Sequence, residues 1–378
     1  MSGDGCTLRL VEDTSFKLGL RRTLLGKYLS SSQHLGSGNY GDVYQFDTFE
    51  NISSPVALKF SLINQQDMFV RPLIQSYSLF LDYLGGRTFK ITDTLDSCKL
   101  SLSDSELAKL QIAVTSSQLM SKINFLGIKH VPKIYDTRYF GLDGHLFFVN
   151  IMEFIEGKTL SEFIQEDKLP SFYKFKILDD LVDFLEEFHH FGFVHGDLKP
   201  TNILTNLEQT TVIDFDTVKS SHLENSIDTN FKGTSHFLHY LSQKPKISFF
   251  TPNYMSPEHL DSSKLVPESD WFSYGIIASY FLTSSSSLIN QDPLIRDFSC
   301  VRDSIIYSLK NKGYSEDLAE GVGSLLYKDP ALRQILPLKE VLKTLLHKED
   351  NFFEEIDDKQ IISSYPHYQF LTTDLFLS

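Results

Sequence analysis

The chain has 378 residues, 41% hydrophobic and 22% charged, a composition that indicates a soluble globular protein long enough for one large domain or two small lobes. The net charge of −14 argues against a nucleic-acid surface, which would need stripes of Lys and Arg. Three widely separated cysteines, Cys6, Cys98 and Cys300, give neither a disulfide framework nor metal-ligand spacing, so a reducing, cytoplasmic setting is expected, with secretion into another cell left open.

The N-terminal stretch "MSGDGCTLRLVED" lacks the apolar core of a signal peptide. Ser2 breaks the myristoylation pattern, and no apolar run reaches the ~18 residues of a membrane span. Residues 31–60 read as strands with tight turns, with Val43, Val56 and Leu58 in alternation. Residues 61–102 fit no short connection and read as an insertion. Ser103–Ser105 then look like a helix start ahead of "ELAKLQIAVTSSQLMSKINFL". "VPKIYDTRYF" and "HLFFVNIMEFIEG" predict two further strands. After Gly157 the pattern turns helical: "KTLSEFIQ", then "KFKILDDLVDFLEEFHHFG" with Leu178, Leu181, Leu185 and Phe188 on one face. "DWFSYGIIASYFL", "EDLAEGVGSLL" and "LKEVLKTLLHK" predict later helices. Strands first and helices second suggest two lobes joined near residues 153–157.

Chemistry concentrates in four places. "LGSGNYGDVY" holds Gly36, Gly38, Gly41 and Val43 in the order G-x-G-x-x-G-x-V, where small residues let backbone amides approach a polyphosphate. On its own the pattern is better explained by a plain glycine-rich hairpin. Lys59 lies inside the apolar strand "VALKF". A buried lysine needs a partner, which a phosphate would supply, unless the side chain snorkels to water. "HGDLKPTN" holds Asp197, able to accept a hydroxyl proton, Lys199, able to neutralise a transferring phosphoryl group, and Asn202. "VIDFD" supplies Asp214, which with Asn202 makes a pair of hard oxygen ligands suited to Mg²⁺.

In this order the glycine-rich loop, strand lysine, H-x-D-x-K-x-x-N loop and D-F-x element resemble the protein kinase family. "TPNYMSPEHL" is similar to the family's A-P-E segment, with Ser256 in place of Ala. "SDWFSYG" resembles its D-x-W-S-x-G helix, with Phe272 at the usual tryptophan. "YKDPALR" resembles the segment whose arginine, here Arg333, pairs with the A-P-E glutamate, here Glu258.

The resemblance implies an α+β, two-lobed protein kinase fold, with a small antiparallel β-rich N-lobe carrying one main helix and a larger, mostly helical C-lobe. The expected layout is an extension over 1–30 and an N-lobe over 31–155, interrupted by the insertion at about 61–102. A C-lobe follows over 156–349, with a long activation segment 214–258, and a tail over 350–378. The implied activity is ATP-dependent phosphorylation of Ser or Thr in a protein substrate, with Mg²⁺. Gly36, Gly38 and Gly41 would cover the phosphates and Lys59 would contact them. Val43, Ala57, Met152, Glu153 and Leu204 complete the implied nucleotide site, Met152 at the back of the adenine pocket and Glu153 with Phe154 leading to the hinge. Asp197 and Lys199 are the implied catalytic pair, and Asn202 and Asp214 the implied metal ligands.

Small-molecule kinases of the aminoglycoside and choline type share the superfold and often carry "HGD" and "IDF". Lys199 and the "SPE", "DWFSYG" and "DPALR" segments favour the protein kinase branch, as does Thr251, which matches the threonine that Ser/Thr kinases place near the catalytic loop. A pseudokinase or ATP-binding scaffold is the other alternative. The chain departs from the family pattern in four places, and the missing glutamate and Asp216 are the two that favour this alternative. Gly196 replaces the usual arginine before the catalytic aspartate, so activation-loop phosphorylation should not switch this chain by that route. Asp216 replaces the D-F-G glycine; stiffening of the loop is preferred to a second oxygen ligand. The activation segment is unusually long, as fits either a mobile insertion or substrate docking. The glutamate expected opposite Lys59 is missing: Ser116 falls near its position, with Gln118 the nearest polar alternative. Glu106 sits about 15 Å too early at ~1.5 Å rise per residue. Asp67 or Asp82 of the insertion are expected as substitutes.

Overall fold

In the computed structural model, the described residues are 32–38, 41–49, 52–64, 116, 119–142, 145–220, 251–262, 265–285 and 298–355. Five antiparallel strands open the chain: β1 (Ser32–Gly38), β2 (Gly41–Phe46), β3 (Val56–Asn64), β4 (Ile134–Leu142) and β5 (His145–Glu153), in the order β1-β2-β3-β5-β4. Side chains alternate between the two faces of such a sheet, so register decides which residues share a face. Leu58 pairs with Tyr44 and Ile151, and its neighbours Val56 and Phe60 pair with Phe46 and Val149; this face is apolar and buried. Lys59 pairs with Val43 and Asn150, and Ala57 pairs with Met152, which puts Val43, Ala57, Lys59 and Met152 of the predicted nucleotide residues on the opposite face, while Glu153 pairs with Val56.

Residues 119–126 form a helix, α1, that buries Leu119, Met120 and Ile123. The Asn124 side chain fastens it to the sheet. It donates to the Met120 and Pro132 carbonyls and accepts from the Ile134 amide at 2.9 Å. After β5 the chain passes Gly157, whose φ of +143° favours glycine, and a Cβ there would lie 2.4 Å from the Thr205 carbonyl oxygen. β6 (Lys158–Thr159) leads into α2 (Leu160–Glu166) through a capping box: Thr159 Oγ1 accepts from the Glu162 amide and the Glu162 carboxylate accepts from the Thr159 amide.

The helical part follows: α3 (Ser171–His190), α4 (Pro257–Ser262), α5 (Pro267–Thr283), α6 (Phe298–Asn311), α7 (Glu316–Gly323) and α8 (Leu336–Glu355). Leu178, Leu181, Leu185 and Phe188 of α3 are fully buried, as their spacing predicts; full burial of such a side chain contributes about 1.5–3 kcal/mol. α5 is buried nearly all round and is the axis of the core, with the Tyr274 hydroxyl donating to the Leu178 carbonyl at 3.0 Å. The short strands β7 (Phe193–Val194), β8 (Ile203–Thr205), β9 (Thr210–Val212) and β10 (Lys219–Ser220) carry the loops between α3 and α4.

The expected α+β division into an antiparallel sheet and a mostly helical part is therefore present. Three boundaries differ from the expectation. β3 continues to Asn64, into the start of the supposed insertion, because "SLIN" keeps pairing with β5. α8 runs to Glu355, past the expected start of the tail. α6 was not marked as a helix, although Val301, Ile305 and Leu309 recur every four residues and are buried. The N-terminal extension, the rest of the insertion with Asp67 and Asp82, Glu106, Gln118, residues 221–250 and those beyond 355 lie outside the described residues.

Candidate active site

The stretch "HGDLKPTN" is held at both ends. Before it, β7 pairs with β10; its last three residues, Pro200–Asn202, form a 3-10 turn that enters β8. From below, the buried carboxylate of Asp270 on α5 accepts the amides of His195 at 2.7 Å and Gly196 at 2.9 Å, and meets His189 Nε2 at 2.9 Å. Burial pushes the Asp270 carboxyl up, but these donors outweigh it and hold it below the usual carboxylate range. Gly196 has φ +79°, and a Cβ there would lie 2.7 Å from Leu265 Cδ2. The backbone at this position therefore disfavours a side chain before Asp197. Asp270 lies within the quoted "SDWFSYG", but its anchoring of this loop was not read from the sequence.

Asp197 and Lys199 meet as expected: Lys199 Nζ donates to Asp197 Oδ2 at 2.5 Å and to Thr251 Oγ1 at 2.8 Å. The Thr251 amide donates to the other Asp197 oxygen, Oδ1, at 2.9 Å. Asn202 Nδ2 donates to the Asp197 carbonyl at 3.1 Å, and the Ile213 amide donates to the Asn202 carbonyl at 2.8 Å. One network thus links Asp197, Lys199, Asn202 and Thr251 to the segment that leaves β9 and leads to Asp214.

Asp214, Phe215 and Asp216 alternate. Phe215 enters the core against Phe184, Phe188 and His195, and the two acids on either side of it point away from that core. They converge on Lys59, whose Nζ donates to Asp214 Oδ1 at 2.8 Å and, closer still, to Asp216 Oδ2. Asp214 holds a left-handed backbone, φ +67°, a strain of the kind that collects at functional sites. Burial pushes the Lys59 ammonium down, yet the two carboxylates outweigh it and hold it above the usual lysine range. Burial also pushes both acids up. For Asp214 the Lys59 charge outweighs it and the carboxyl falls below its usual range. Asp216, more deeply buried and repelled by Asp214, stays above.

Lys59 and the Gly-rich hairpin complete the cleft. Gly38 pairs with Gly41 across the turn, and Gly36 pairs with Val43, which is itself opposite Lys59. A Cβ at Gly36 would meet nothing within 4 Å, so the strand is open there. Leu204 is half-buried in β8 and pairs with Thr159 and Thr211. The Glu153 amide donates to the Lys133 carbonyl at 2.8 Å, which fixes the end of β5 where the chain leaves the sheet.

The protein kinase domain family matches residues 99–346. The chain belongs to the protein kinase family. Among its relatives are the probable serine/threonine-protein kinase PknB of Lactococcus lactis, 26% identical over 208 residues, which cover 53% of this chain and 29% of the relative. The putative protein kinase C delta type homolog of Drosophila melanogaster is 27% identical over 260 residues, 64% of this chain and 34% of the relative. The serine/threonine-protein kinase PknB of Mycobacterium leprae is 27% identical over 186 residues, 48% and 28%. The chain spans about a third of the length of these relatives.

Among the described residues Lys59 takes its carboxylate partners from the D-F-D element, while Asp67 and Asp82 of the insertion lie outside them. One expectation about this kinase needs correction. Asp216 does more than stiffen its loop: it carries that ion pair and also accepts from the Ser116 hydroxyl at 2.9 Å. The clue was the spacing of two acids around one core phenylalanine. Elsewhere, Arg333 and Glu258 form the expected pair.

The donor chemistry of the kinase suits a magnesium nucleotide. Mg²⁺ usually takes one or two protein oxygens and completes its shell with phosphates and water. Asn202 and Asp214 supply that number, and no cluster of three or more His, Cys, Asp or Glu suited to a metal occurs among the described residues. No helix among those residues is long and apolar enough to cross a membrane.

Proposed function

We propose that this kinase transfers the γ-phosphoryl group of ATP to Ser or Thr hydroxyls of a protein. The observation that carries the reading is the three-way contact of Asp197, Lys199 and Thr251. A carboxylate held by one backbone amide and one ammonium keeps lone pairs to orient an incoming hydroxyl and accept its proton. Lys199 lies where it can balance charge on the transferring group as the proton leaves. Thr251 belongs to the segment that ends in Glu258, so the acceptor side of the site is tied to the helical part through Arg333. That connection supports a polypeptide acceptor over choline, an aminoglycoside or a sugar.

Gly36, Gly38 and Gly41 would cover the phosphates, with Lys59 against them. Val43, Ala57, Met152, Glu153 and Leu204 would enclose the base. Asn202 and Asp214 would hold Mg²⁺, which supplies charge neutralisation at the phosphates. The domain layout follows this reading, with the junction at residues 153–157.

The test is γ-labelled ATP with a generic basic protein acceptor across a Mg²⁺ titration, comparing the wild type with Asp197→Ala. Phosphoserine or phosphothreonine formed by the wild type, and lost in Asp197→Ala, is the expected result. Tight ATP binding without transfer to any acceptor would instead make the chain a nucleotide-binding scaffold.

A further inference from the structure

Lys59 needs a fixed anion, and among the described residues no carboxylate from the chain just before β4 pairs with it. Ser116, buried and helical, presents only a hydroxyl. That hydroxyl donates to Asp216 Oδ1 at 2.9 Å, while Asp216 Oδ2 takes the Lys59 ammonium. Both oxygens of Asp216 are therefore engaged, and its side chain is 6% exposed. Asp214 gives its Oδ1 to Lys59 and has a side chain 32% exposed.

We propose that Asp216 is the residue that positions Lys59, and that Ser116 holds Asp216 to the helix, so that the anion and its anchor have exchanged places along the contact. The inference rests on the phosphotransferase reading for its purpose. It divides the two acids by what they can still reach. Asp216 is buried, with the lysine on one oxygen and Ser116 on the other, so it serves the lysine. Asp214 keeps exposed oxygen, so it remains available to a cation.

The exchange also changes what the helix controls. With a carboxylate on the helix, the ion pair would break whenever the helix moved away. Here the ion pair lies between β3 and the D-F-D element, and helix movement would cost one neutral-donor hydrogen bond. Ser116→Ala should accordingly be mild, within a few-fold in ATP affinity.

The experiment uses the full chain and four proteins: wild type, Asp216→Gly, Ser116→Glu and the double variant, with Ser116→Asp prepared as a shorter alternative. Mg-ATP affinity is measured by calorimetry, turnover with labelled ATP, and the urea midpoint without nucleotide. Asp216→Gly should lose ~10- to 100-fold in affinity, the scale of one charge-assisted hydrogen bond. Ser116→Glu alone should also lose affinity, since it sets two carboxylates side by side. The double variant should recover most of the loss, and Ser116→Glu should raise the urea midpoint only when residue 216 is glycine. This reversal of sign is not produced by a merely structural role. The assignment is overturned if Asp216→Gly binds ATP as the wild type does. It is equally overturned if neither Ser116→Glu nor Ser116→Asp improves on Asp216→Gly in folded protein. A wild type that transfers nothing would sink the phosphotransferase reading, and the affinity order would still decide this one. Should nucleotide binding be absent as well, the urea midpoints decide it alone.

Discussion

Arg333 grips Glu258 with two parallel hydrogen bonds, Nη1 to Oε1 and Nη2 to Oε2, each 2.8 Å long. The guanidinium also donates to the carbonyls of Tyr327 and Glu268, lies 5.0 Å from the Phe272 ring centroid, and is fully buried. Removing either partner leaves the other charge buried and alone. Arg333→Ala should therefore lose about 3–5 kcal/mol of stability, read as a lower urea midpoint. An unchanged midpoint would mean that the pair is solvated and contributes little.

The same pair predicts an acid limb. Burial pushes the Glu258 carboxyl up, but hydrogen bonds from Arg333 and Ser269 outweigh it and bring it down to about 2 from an ordinary 4.5. A folded-state value below the unfolded one stabilises the fold above pH 4.5, and that stabilisation fades as pH falls toward about 2. Urea midpoints across this window should fall with pH in the wild type. In Arg333→Ala the slope should be shallower, because the carboxyl has lost its main donor.

Gly196 gives a backbone prediction. Its φ of +79° and the 2.7 Å approach of Leu265 Cδ2 both oppose a side chain. Gly196→Ala should cost about 1–2 kcal/mol from the left-handed backbone, with a further loss from displacing Leu265. Gly196→Arg should fare worse, and activity should not become dependent on activation-loop phosphate. A Gly196→Arg protein as stable as the wild type would show that Leu265 yields easily.

Much of this arrangement was legible in the sequence because each part is local. Lys199 follows Asp197 by two residues, and the α3 leucines repeat at helical spacing, so pattern alone places them. The sheet face that carries Val43, Ala57, Lys59 and Met152 follows from alternation once the strands are paired. The partner of Lys59 was not legible, because ion pairs are made by convergence in space. Ser116, Asp216 and Lys59 come from a helix, a loop and a strand, and only the burial of Phe215 shows which way the two acids turn. Asp270 escaped for a similar reason: within "SDWFSYG" nothing marks a carboxylate as the acceptor of two amides some 75 residues away.

Asp214→Asn separates metal binding from folding. The substitution removes one anionic oxygen, while Asp216 still pairs with Lys59, so the urea midpoint should stay near wild type. Transfer should fall roughly a hundredfold, the scale of a lost contact to a charged group, and added Mg²⁺ should recover part of it. Normal activity at every Mg²⁺ concentration would remove Asp214 from the metal site.

Lys199→Ala addresses what the kinase acts on. Lys199 contacts Asp197 and Thr251 and none of the residues assigned to the nucleotide, so ATP affinity should be unchanged. Asp197 keeps the Thr251 amide on its other oxygen and so stays oriented in the variant. What disappears is a positive charge placed where negative charge accumulates during transfer. An interaction made in the transition state and absent before it lowers kcat and kcat/KM together, here by about 10²–10³. The assay should offer Ser, Thr and Tyr peptides beside choline, aminoglycosides and sugars. Loss of peptide phosphorylation with intact ATP binding is expected. A rise in KM for ATP at constant kcat would move Lys199 to the nucleotide side. Efficient phosphorylation of a small alcohol by the wild type, with no peptide accepted, would show that the Thr251 segment does not receive a polypeptide.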